Sequence, residues 1–170
     1  MTGIEKFKKI WDPIDKVIFT ILKYVCALLL AALIMIVFYI FVGRYILHDS
    51  PMWGEPLSLF ILTWMSILGS ALVLRTDEHL KVTMFDDKMS KGAILATDIL
   101  ATACVLAFSF FMIIYGRQLM VQARKNTMAG VNIPYKWMYA SMPVTGVLYI
   151  LALITQWTTK LSHKEAPKLS

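Results

Sequence analysis

Charged residues are scarce in this sequence. Asp, Glu, Lys and Arg make up 16% of its 170 positions, against 58% hydrophobic residues and a mean hydropathy of +0.65. A soluble domain carries about 25% charged residues, so the composition excludes a large soluble enzyme. The charges fall in five short stretches separated by four long apolar ones, which excludes a disordered or collagen-like chain. Cysteine is limited to Cys26 and Cys104, and histidine to His48, His79 and His163. Both thiols lie in apolar stretches, where a cysteine reads as a small packing residue. Two cysteines with no histidine nearby make a poor metal-ligand set, and the three histidines sit in three separate polar segments. Phosphate-binding loops, nucleophile elbows, zinc spacings, haem signatures and internal repeats are all missing. Neither an enzyme nor a cofactor or metal site is expected.

What the sequence does contain is hydrocarbon of membrane-spanning length. Tyr24 to Gly43, Pro56 to Leu74, Ile99 to Gly116 and Trp137 to Thr159 carry no charged residue. Roughly 20 apolar residues cross about 30 Å of bilayer as a helix. The runs are continuously apolar, whereas a barrel strand alternates over about 10 residues. The expected fold is therefore an all-α integral membrane protein with one membrane domain and four transmembrane helices, at about 24–46, 56–74, 94–116 and 137–159. Ile4, Phe7, Trp11, Ile14, Ile18 and Ile21 recur at three- and four-residue spacing and predict an amphipathic helix at the membrane interface. Asp12-Pro13 reads as an N-cap followed by a first-turn proline, so this interfacial helix is expected over 3–12, with a second helix starting after it.

Lysine and arginine set an orientation. Five precede the first span, one lies in the first loop, four in the second, four in the third and three in the tail. With four spans, one side collects 12 and the other 5. The positive-inside rule then places both termini, the second loop and the 160–170 tail in the cytoplasm. The net charge of +6 reads as attraction to phospholipid headgroups rather than nucleic acid. The second loop, with Leu80 and Val82 alternating among polar residues, is expected to lie along the cytoplasmic face, and Ser90 to cap the third helix. Gly130 and Pro134 mark a turn in the third loop. Trp137 and Tyr139, with Trp157 at the far end, suit interfacial aromatic belts.

No Asp, Glu, Lys, Arg or His falls inside the four uncharged runs, although such residues usually mark ion or substrate pathways. Broken helices at matched positions in the two halves are also missing. What the spans offer is packing surface. Ser66, Gly69, Ser70 and Ala71 put small residues on the second span, where they permit close helix approach within the bundle or to another subunit.

The order of these features resembles one family. Trp53-Gly-Glu55 precedes the second span, Gly69-Ser70-Ala71 lies late in it, and Arg75-x3-His79-Leu80-x-Val82 follows. Ile133-Pro134 then precedes Tyr139-x3-Pro143. From about Lys16 to Thr159 the chain resembles the small, four-helix membrane subunit of tripartite ATP-independent periplasmic (TRAP) transporters. The family's usual second acid is replaced here by Pro56 after Glu55. The resemblance implies a bacterial inner-membrane protein paired with a large, sodium-coupled membrane subunit that moves in an elevator-like cycle. It also implies a soluble periplasmic protein that captures the substrate, an organic acid with sialic acid as the specific expectation. The small subunit would widen the fixed scaffold.

Carried onto this sequence, the resemblance makes Arg75 and His79 the leading structural candidates. Arg75 is expected to snorkel to phosphate or bond a helix end, and His79 to fix the following loop. Ser66, Gly69, Ser70, Pro134, Tyr139 and Pro143 are further candidates for holding the partner or the bundle. Trp53, Glu55, Arg44, Arg117, Arg124 and Lys125 are candidates for docking the periplasmic protein. Two other classes are open to a chain of this pattern: a small autonomous four-helix exporter, and a structural membrane protein without a transport partner.

Overall fold

The computed structural model describes residues 3–49, 51–76 and 91–165. Helix α1 runs from Gly3 to Val42 and ends in a π-helical turn, Gly43–Leu47. Helix α2 spans Gly54–Thr76 and α3 spans Lys91–Gln122, tightening into a 3-10 turn at Ala123–Lys125. A short helix α4, Lys136–Tyr139, leads through Ala140 into α5, Ser141–Glu165. Four helical stretches are long and apolar enough to cross a membrane: Trp11–Leu47, Gly54–Arg75, Ala96–Lys125 and Lys136–Thr158. The all-α, four-span architecture is thus the one the apolar runs predict. His79, Leu80, Val82 and Ser90 lie outside the described residues.

One expectation is corrected. No separate helix ends at Asp12, because α1 is continuous through Pro13. A proline inside a helix removes one backbone hydrogen bond, but side chains on both sides of Pro13 are tied to the same residue of α5. Trp11 Nε1 donates to Thr155 Oγ1 at 3.0 Å, and Thr155 Oγ1 donates to Asp15 Oδ1 at 2.8 Å. At 1.5 Å per residue α1 is about 60 Å long, roughly twice the hydrocarbon thickness.

Helix α5 is the hub, packed on α1, α2 and α3, while α2 also packs along α1. The core consists of Phe19 and Leu22 from α1, Leu68 and Ala71 from α2, and Ala152 from α5. In contrast, the most apolar stretch of α1 is nowhere buried by the rest of the chain. Such a surface is stable only against lipid or another protein. Pro143 is the third residue of α5, where its missing N–H costs nothing because first-turn donors have no intrahelical partner.

Two loops close the end remote from the termini. His48 ends the π-helical turn in the left-handed region, with φ 53 and ψ 24. Gly43 lies beneath it, and a Cβ there would sit 2.8 Å from Asp49 O. The α3–α4 loop folds as a closed hairpin. Met128 N–H donates to Ile133 O at 3.0 Å and Tyr135 N–H to Asn126 O at 2.9 Å, around a bridge between Thr127 and Pro134.

Candidate functional site

The densest polar network among the described residues joins the ends of α1, α2 and α5. It starts from helical spacing: Trp11, Asp15 and Phe19 are four apart and share one face of α1. That face is turned inward, and Asp15 is 3% exposed. A buried carboxylate is tolerated only when paired and hydrogen-bonded, and this one is both. Arg75, in the last turn of α2, donates to Asp15 Oδ2 from Nε at 2.9 Å and from Nη2 at 2.5 Å. The Thr155 hydroxyl donates to the other oxygen, Oδ1. The guanidinium also lies 4.7 Å from the centroid of the Phe19 ring, a favourable cation–π geometry.

The neighbouring helix end is satisfied in the same way. Gln156 Nε2 donates to Leu74 O at 2.6 Å, supplying one of the last carbonyls of α2 with the partner its own helix cannot give. Deeper in, the Ser70 and Tyr149 hydroxyls meet at 2.7 Å. Toward the other end, Trp64 Nε1 donates to Trp137 O at 3.1 Å. These three polar ties join α2 to α4 and α5 along their length, and the Asp15 cluster adds α1. Both charges of the ion pair are consumed by partners within the chain. The chemistry of this cluster is that of a lock between helices. Thr155→Val keeps the shape but removes the donor to Asp15 and the acceptor for Trp11. It is expected to cost about 1–2 kcal/mol in a denaturant titration of the detergent-solubilised chain.

Arg75 is thus a structural centre, but by a different contact from the one expected: its partner is Asp15, not a phosphate or a helix end. The sequence pattern does not single out Asp15, Thr155 or Gln156, and it presents Trp11 only as part of the amphipathic stripe. The available signal was Trp11-x3-Asp15-x3-Phe19, an acid placed on a helical face in a chain with little charge. The isoleucine stripe is centred on an adjacent face of α1, where Ile14 and Ile21 are 48% and 58% exposed.

The other candidates separate into groups. Ser70 is bonded to Tyr149, whereas Ser66 is exposed and a Cβ on Gly69 would meet nothing within 4 Å. Close helix approach instead occurs between α3 and α5. A Cβ on Gly116 would lie 2.8 Å from Pro143 Cδ, and one on Gly146 would lie 2.9 Å from Ser109 O. Pro134 accepts from Trp137 N–H at 3.1 Å and so starts α4, whose last residue is Tyr139. Trp53 stacks on Tyr39 with centroids 5.7 Å apart. Glu55 occupies the first turn of α2, where a carboxylate complements the helix dipole. Arg44, Arg117, Arg124 and Lys125 are exposed. Among the described residues no group of histidine, cysteine or acidic side chains is placed to hold a metal.

Four apolar helices, three of them tied at one end by an internally neutralised ion pair, define a multi-pass membrane protein built for packing. Residues 17–163 match the family model of the DctQ component of tripartite ATP-independent periplasmic transporters, and the chain belongs to that family. It is 28% identical over 138 residues to the sialic acid TRAP transporter small permease protein SiaQ of Vibrio cholerae, covering 79% of this chain and 78% of that one. It is 27% identical over 140 residues to a Haemophilus influenzae protein whose name places it with TRAP transporter small permeases, covering 79% and 84%. A third likeness, 23% over 116 residues, is to the sialic acid TRAP transporter permease protein SiaT of Haemophilus influenzae, covering 68% of this chain but 19% of that protein.

Proposed function

We propose that this chain is the non-transporting small subunit of a TRAP-type secondary transporter in a bacterial inner membrane. It scaffolds a large sodium-coupled permease that takes up an organic acid delivered by a periplasmic binding protein. Sialic acid is the proposed substrate, supported by the likeness to SiaQ. The observation that carries the scaffold role is the Asp15–Arg75 pair: a scarce buried charge is placed to fasten three helices together. The likeness to a segment of SiaT supports a large permease as the neighbour, since there the matching segment belongs to a much longer permease chain. Both termini are assigned to the cytoplasm by the lysine and arginine distribution, and phospholipids cover whatever apolar surface the permease leaves.

Two small residues of α2, exposed Ser66 and Gly69 with open space beside it, are proposed as part of the contact with the permease, with His79 fixing the loop beyond. Gly69→Leu tests this. The isolated chain has room for the side chain, so its stability is expected to be unchanged or raised by about 1 kcal/mol, because glycine is a poor helix former. Its yield of complex with the permease is expected to fall severalfold in co-purification. Equal yields for the variant and the wild type would remove Gly69 from the interface. For the function as a whole, liposomes containing the permease and this chain, supplied with the binding protein and a sodium gradient, are expected to accumulate sialic acid. Liposomes with this chain alone are expected to accumulate none.

A further inference from the structure

We infer that Lys16, Thr20 and Lys23 on α1 bind the phosphate of an anionic phospholipid, drawn inward in the leaflet on the side of the termini. Its place follows from the register of α1 against α2. Helix α2 crosses the membrane as Gly54–Arg75, about 33 Å at 1.5 Å per residue, so its ends lie near the two faces of about 30 Å of hydrocarbon. At one end Arg75 holds Asp15. At the other, Trp53 stacks on Tyr39, and a Cβ on Gly54 would touch Ile40. The length of α1 between Asp15 and Ile40 is therefore level with α2. Lys23 lies about 12 Å inward of Asp15 along the helix, and its neighbour Leu22 is in the core with Phe19, Leu68, Ala71 and Ala152. Lys23 is thus a charge at hydrocarbon depth, although the uncharged run of the sequence begins only at Tyr24.

The face that carries Lys23 is polar. Residues 16, 20 and 23 follow four- and three-residue spacing and share one side of α1, and all three are exposed. That side is about a third of a turn from the inward face of Trp11, Asp15 and Phe19, and about as far from the apolar outer face of Ile14, Val17 and Ile21. At one depth, then, α1 offers apolar surface on one flank and two cations on another. Among the described residues neither lysine has an acid as partner, since the ion pair there is Asp15–Arg75 and Asp12, one turn before Lys16, forms none. An ionised group in hydrocarbon is costly unless it is paired or reaches the interface. Helix side chains lean toward the helix N-terminus, so the stem of Lys23 runs back toward Thr20 and Lys16 and its ammonium snorkels toward the headgroups. A phosphate diester between the two ammonium groups neutralises charge there, and the Thr20 hydroxyl has a proton to donate to it. Thr63 and Thr102 give theirs to the carbonyl four residues back, whereas among the described residues that of Thr20 is unengaged. Phosphatidylglycerol suits the site better than phosphatidylcholine, whose headgroup brings a cation against the same lysines.

The test places the full-length chain, alone and with its permease, in nanodiscs of phosphatidylcholine doped with phosphatidylglycerol, and counts the retained lipid by native mass spectrometry. The wild type is expected to keep phosphatidylglycerol preferentially, undisturbed by excess inorganic phosphate. Lys23→Met is expected to lower that retention at least about fivefold, Lys16→Met to lower it less, and Lys23→Arg to preserve it. Lys125→Met, at the other membrane end, is expected to match the wild type. Because Lys23→Met removes a charge from an apolar level, its helical signal and denaturation midpoint should equal or exceed those of the wild type. Equal retention by the wild type and by Lys16→Met combined with Lys23→Met would overturn the inference. So would displacement of the lipid by inorganic phosphate, or a zero-length carbodiimide cross-link from Lys23 to a permease carboxylate, which would assign the charge to the partner.

Discussion

Arg75→Ala is expected to destabilise the chain by about 3 kcal/mol, near the lower end of the cost of stripping a buried charge of its partner. The reason lies in the asymmetry of the pair: Asp15 is 3% exposed while the Arg75 side chain is 31% exposed. Removing the arginine strands a carboxylate inside the protein. Removing the acid leaves a guanidinium that can reach water or phosphate, so Asp15→Ala should cost less, about 1–2 kcal/mol. Asp15→Leu combined with Arg75→Met should be better tolerated than Arg75→Ala alone, since apolar replacement of both partners removes the desolvation penalty. Titration with a denaturing detergent, following the helical signal, checks the order of the three variants. If Arg75→Ala is as stable as the wild type, the lock does not hold the helices.

The second large effect is expected at the contact between α3 and α5. Gly146→Val should cost about 3 kcal/mol, at the upper end of overpacking penalties. Its Cβ would meet the backbone oxygen of Ser109 and, at 2.8 Å, Ile113 Cγ1. A side chain can swing away, but a backbone carbonyl in the middle of α3 cannot. Because α3 is held chiefly by α5, forcing the two apart should release α3 and leave the α1–α2–α5 lock intact. Cross-linking between cysteines introduced on α3 and α5 should fall in this variant, while cross-linking between α1 and α2 persists. Loss of both together would show that the bundle unfolds as one unit.

The span pattern was legible in the sequence because hydrocarbon imposes length and uniform polarity over some 20 residues at a time, a signal that needs no tertiary knowledge. The family resemblance was legible because the residues around spans two and four keep a fixed order. The lock was not legible, since Asp15 and Arg75 are separated by 60 positions and only folding shows which faces meet. Asp12-Pro13 misled because local helix-start chemistry ignores the ties that hold Trp11 and Asp15 to Thr155. The small-residue face of α2 divides: Ser70 and Ala71 pack within the bundle, and glycine contacts that the pattern did not single out lie elsewhere. Gly69 has open space beside it, while Gly116 and Gly146 make the close approach.

These features converge on a chain whose internal polar groups fasten its own helices and whose apolar outer surface is left for other molecules. The exposed length of α1 and the open notch on α2 are the surfaces a larger membrane partner would cover. The same division explains why the ion pair is buried within the bundle.

Affinity purification of the tagged chain in mild detergent, co-expressed with its neighbouring genes, tests the scaffold role most directly. A stable complex with a large multi-span permease, and no sialic acid uptake by the small chain reconstituted alone, is the predicted result. A solitary chain that transports the substrate in liposomes without any partner would contradict it.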